Sequence, residues 1–172
     1  MSNKYIIYNN EKMLTTKILE ENKNKFNNDI IYIPRYDRKI LITKDQMLQI
    51  DIIFKLEYGK SLREFIEYSL DLFDPFSYEK IEKGIYINCG YMQIFNIVYS
   101  YVFYKPKIFI IDKFEQSLHP LVAYGLLQII YDLSKNDECL LFFTFDFLYK
   151  KNNNYKYINY DTFEKILKNT LQ

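Results

Sequence analysis

Two stretches of this chain carry almost nothing but large apolar residues, Lys107–Ile111 (KIFII) and Cys139–Thr144 (CLLFFT). A strand with one wet face alternates apolar and polar side chains. Unbroken runs of this length therefore belong to strands covered on both faces, the pattern of a parallel sheet enclosed by helices. Parallel neighbours cannot be joined by tight turns, so such a sheet demands long crossovers between its strands. The chain has segments that suit the task.

Tyr5–Tyr8 is a short β-prone run, and Met13–Phe26 spaces Met13, Leu14, Ile18, Leu19 and Phe26 as a partly buried helix would. Asp29–Ile33 reads as a strand ended by Pro34, because proline offers no ladder donor and pushes its predecessor to extended geometry. Thr43 is placed to cap a helix over Lys44–Tyr58 that stops at Gly59, and Ser61 to cap another over Leu62–Phe73. A further helix runs from Asn88 or Cys89 to about Tyr104, where Lys105-Pro106 ends it. Pro120–Ser134 follows with proline in its first turn, then a last strand, Tyr155–Tyr160, and a last helix, Asp161–Leu171, capped by Asp161. Alternating strands and helices predict an α/β fold, a mostly parallel sheet flanked by helices, with a helical block inserted between the second and third strands.

At 172 residues and 49% hydrophobic content the chain has material for one domain with a packed core. Its formal net charge of +1 draws it to no polyanion, so nucleic acid is not an expected partner. Cys89 and Cys139 are isolated from one another and His119 is the sole histidine, which argues against a zinc site. A single disulfide stays open, although isolated thiols in apolar surroundings suit a reducing compartment better. The start of the sequence lacks a signal-peptide apolar core, and cytoplasmic is the expectation. Gly84–Tyr104 is uncharged and reaches the roughly 20 residues a bilayer requires. Its Asn88, Gln93, Asn96 and Ser100 point instead to a buried core helix.

Five segments bear on chemistry. Lys107–Pro120 (KIFIIDKFEQSLHP) delivers Asp112 from an apolar strand and continues through Glu115, Ser117, Leu118 and His119 to Pro120; Tyr8–Thr16 is YNNEKMLTT; Ile31–Arg35 is IYIPR; Ile87–Gln93 is INCGYMQ; Leu141–Asp146 is LFFTFD. In order and spacing they resemble the Walker B and D-loop, the phosphate loop, the Q-loop, the signature and the switch of an ABC-type ATPase. The resemblance covers Tyr5 to the end of the sequence. It implies a P-loop NTPase-like core over residues 1–42 and 105–172, a helical subdomain with a signature-like helix over 43–104, and truncation of the antiparallel strands that the family carries ahead of its phosphate loop.

The same resemblance implies lost catalysis. In YNNEKMLTT, Asn10, Thr15 and Thr16 match GxNGxGKTT, but Tyr8, Glu11 and Met13 replace the glycines and Leu14 the lysine. The backbone loses its freedom to curl around phosphate, and the site loses its cation. Arg35 stands for the Q-loop glutamine and can accept no hydrogen bond. Lys113 stands for the catalytic glutamate, and a lysine ammonium has no lone pair with which to take a proton from water. Phe145 stands for the switch histidine and donates nothing to a γ-phosphate. Asn10, Thr15, Thr16 and Asp112 are thus remnants of a nucleotide site. Asn88, Gly90 and Gln93 are the signature-like residues that would face a partner's nucleotide, and Ser117, Leu118 and His119 are the D-loop-like contact residues.

These replacements imply a pseudo-ATPase acting through protein contacts. No cofactor of its own is expected, with ATP and Mg²⁺ bound weakly or through a partner's site. The expected partner is a second copy, an intact ATPase subunit or a membrane permease in peptide export or immunity, which would hold the protein at the inner face of a membrane. Each segment also has an ordinary structural reading: strand–turn–helix, charged turn, helix start or strand end. Two alternatives therefore stay open, a non-standard ATPase using Asp112 and Glu115, with Asp146, to hold a metal ion, and a plain α/β interaction module.

Overall fold

The computed structural model describes residues 3–8, 29–33, 44–61, 64, 89–113, 118, 120–145 and 151–171. Among them, in chain order, are β1 (Lys4–Ile7), β2 (Ile30–Ile33), α1 (Lys44–Tyr58), α2 (Cys89–Tyr104), β3 (Ile108–Ile111), α3 (Pro120–Ser134), β4 (Leu140–Thr144), β5 (Lys156–Ile158) and α4 (Tyr160–Leu171). The strands form one sheet in the order β2-β3-β4-β1-β5, and every neighbouring pair is parallel. The two apolar runs lie side by side as β3 and β4, with Ile111 opposite Phe143.

Period-two alternation divides these strands between two cores. Ile6, Ile33, Phe109, Ile111, Leu141 and Phe143 face α1, α2 and α3. Ile7, Ile108, Ile110 and Phe142 face α4, which contributes Phe163 and Leu167. Crossovers β2→β3 and β3→β4 step in the same direction across the sheet, so right-handed connections put their helices on one face. Ile50 and Phe54 of α1 and Ile94, Ile97 and Val98 of α2, from the stretch expected to form the inserted helical block, are buried in the same cluster as the sheet residues. Hence the uncharged α2 is a core helix. Among the described residues no helix is long and apolar enough to cross a membrane.

Local signals set the helix ends. At both Gly59 (φ 73°) and Lys105 (φ 43°) the chain turns left-handed, and the amide bonds back to the carbonyl four residues earlier, Lys55 at 3.0 Å and Tyr101 at 2.9 Å. Both are left-handed caps: the one at Gly59 is the glycine stop expected after α1, whereas after α2 the residue before Pro106 itself turns left-handed. Ser61 does act as a cap: its Oγ accepts the Glu64 amide at 3.2 Å, and Glu64 returns a carboxylate to the Ser61 amide at 2.8 Å. Those bonds hold the exposed Glu64 carboxyl below its ordinary range. For α4 the cap differs from expectation. Asn159, not Asp161, accepts the Thr162 amide at 2.9 Å, and the helix starts at Tyr160. Asp161 falls in the first turn, where its charge still complements the helix dipole. The helices expected over Met13–Phe26 and, but for Glu64, Leu62–Phe73 lie outside the described residues.

Candidate functional site

In an open parallel sheet, ligands bind beyond the carboxyl ends of the strands, where neighbouring strands send their connections in opposite directions. Here that point lies between β1, whose chain goes on to β2 at one edge, and β4, whose chain goes on to β5 at the other. Neither of the common dinucleotide- or flavin-binding orders, 3-2-1-4-5-6 and 2-1-3-4-5, fits this sheet.

Asp112 follows β3 at this edge. It is 1% exposed, its amide donating to the Ile33 carbonyl at 3.0 Å. Its carboxylate receives the Thr144 hydroxyl at 2.5 Å on Oδ1 and the Tyr32 hydroxyl at 3.4 Å on Oδ2. Thr144 ends β4 on the same face, because the Ile111–Phe143 register carries forward by one residue on each strand. The Lys113 amide then donates to both Thr144 oxygens, Oγ1 at 2.8 Å and the carbonyl at 3.2 Å. Lys113 is left-handed (φ 46°) and 4% exposed. For a residue with a side chain that geometry costs about 1–2 kcal/mol, and the paired bonds from its amide hold the turn against the cost. The cluster joins the ends of β2, β3 and β4 through one buried carboxylate.

Phe145 leaves β4 in the other direction. It is buried in the core on the α3 side, stacked on Phe143 with ring centroids 6.1 Å apart. No side chain at 145 with that orientation reaches over Asp112. Leu118 is half-buried and packs against the same core. Gly90 lies in the first turn of α2 and Gln93 just after it. That helix is about 24 Å long by its rise per residue, and its far end stands at the amino edge of the sheet, where the Tyr101 hydroxyl meets Asp137. Asn10, Thr15, Thr16, Arg35, Asn88, Ser117 and His119 lie outside the described residues, as do Glu115 and Asp146. Among the described residues no three His, Cys, Asp or Glu side chains gather as a metal site.

Sequence reasoning passed over two features. Tyr32 had no signal of its own, since its bond to Asp112 spans 80 residues and exists because β2 neighbours β3. A second polar cluster occupies the opposite, amino edge of the sheet. Lys4 is buried there and donates to the carbonyls of Asp137 (3.3 Å) and Cys139 (2.9 Å), and the Tyr101 hydroxyl donates to Asp137 at 2.5 Å. These groups adjoin a depression of about 450 Å³ lined in part by Glu57, Lys105, Asp137 and Cys139. Burial lowers the Lys4 ammonium from its ordinary range and pushes the Cys139 thiol up to about 12. Burial and then the bond to Asp137 push the Tyr101 phenol far above its ordinary value. A thiol so far from ionisation is a weak nucleophile. Cys139 is free, and Cys89 opens α2 about 18 Å of helix away from Tyr101, too far for a bridge across the amino edge.

No protein-family model, curated protein or solved structure matches the chain.

Proposed function

We propose that this chain is a degenerate ABC-type ATPase domain that works through protein contacts instead of hydrolysing ATP. The observation that carries the reading is the neighbourhood of Asp112. In the ABC-type core, the strand entering the phosphate loop and the strand ending at the Walker B aspartate lie on either side of the strand ending at the switch. Here β1, β4 and β3 stand in that order, and the Walker B-like Asp112 is bonded to Thr144 of the switch-like segment. The damage lies in the same place. Phe145 is packed into the core, and the position of the catalytic glutamate is a buried lysine. Phosphoryl transfer consists almost wholly of positioning and charge stabilisation, so loss of the phosphate-loop lysine, the general base and the switch histidine removes its main requirements.

The partner in this reading is an intact ATPase subunit, a second copy or a permease, with Asn88, Gly90 and Gln93 completing a partner's nucleotide site from the start of α2. The protein then resides in the cytoplasm, at the membrane face when the partner is a permease. Titration calorimetry of the purified protein with Mg-ATP is expected to give a flat trace, with no phosphate released on incubation. Micromolar binding heat or turnover by the protein alone overturns the proposal.

A further inference from the structure

We draw no further inference here: the strongest candidate, the depression at the amino edge of the sheet, carries none because Lys105 and Lys107 on its wall are already paired with Glu57 and Asp29, its remaining carboxylates Asp137 and Glu138 are exposed, and nothing in the structure shows what fills it.

Discussion

The two edges of the sheet both bury polar groups, and they bury them differently. At the amino edge Lys4 and Tyr101 donate to Asp137 and to the carbonyl of Cys139, and burial holds the Tyr101 phenol and the Cys139 thiol in their protonated forms while lowering the Lys4 ammonium. Such an arrangement latches β4 to β1 and α2. At the carboxyl edge a single carboxylate, Asp112, gathers two hydroxyls beside a left-handed Lys113 at the ends of three parallel strands. Desolvation therefore does not by itself mark a site. What separates the edges is topology, because only the carboxyl ends open toward a switch point.

The largest expected effect belongs to the amino edge and is read with pH. The Cys139 thiol ionises near 9.0 when free and at about 12 in the fold. Between those values the unfolded chain has lost the proton that the native state keeps, so stability falls as pH rises, by on the order of a few kcal/mol across the window. Tyr101 adds loss in the same direction above 10. Lys4 opposes both, because its folded-state value is lowered and its contribution rises toward 10.5. In urea titrations from pH 9 upward, Cys139→Ala is expected to show a shallower decline than the parent; parallel declines break this account of the latch.

A direct comparison of the edges comes next. Thr144→Val strips the Asp112 carboxylate and the Lys113 amide of one shared partner and is expected to cost ~2 kcal/mol. Lys4→Met leaves two carbonyls unpaired but also removes a desolvated charge, for a cost of ~1 kcal/mol. Denaturant midpoints that reverse this order would make the amino edge the more demanding network.

The smallest contrast uses the left-handed lysine at each edge. Lys105 is an exposed helix cap, and Lys105→Gly is expected to stabilise by ~0.5 kcal/mol, the strain relieved exceeding a surface ion pair with Glu57. Lys113→Gly relieves the same strain but deletes a buried side chain, so no gain is expected. Equal stabilisation of both variants would remove the distinction between a cap and a held turn.

Much of the fold was legible because its signals are local. The described strands fall within two residues of the expected boundaries, and α1 and α3 match at both ends, since apolar runs, glycine and proline act on their own neighbourhoods. At α4 two cap-forming residues competed, and Asn159 won because β5 ends at Ile158 and the helix follows directly. Asp112 was legible as a carboxylate delivered by an apolar strand. Its partners were not, and neither was the burial of Lys4, because a lysine opening a strand reads as solvated until the neighbouring turn supplies carbonyls.

The sequence alone determined which segments become strands and helices and which faces they bury, because those properties depend on periods of two and 3.6 residues. It also marked Asp112, Lys113 and Phe145 as positions of interest. Only the tertiary structure decided that β4 stands between β1 and β3, that Tyr32 and Thr144 reach Asp112, and that Phe145 turns into the core. The bonds to Asp112 join residues 80 and 32 positions apart, and no local period records which strands will be neighbours.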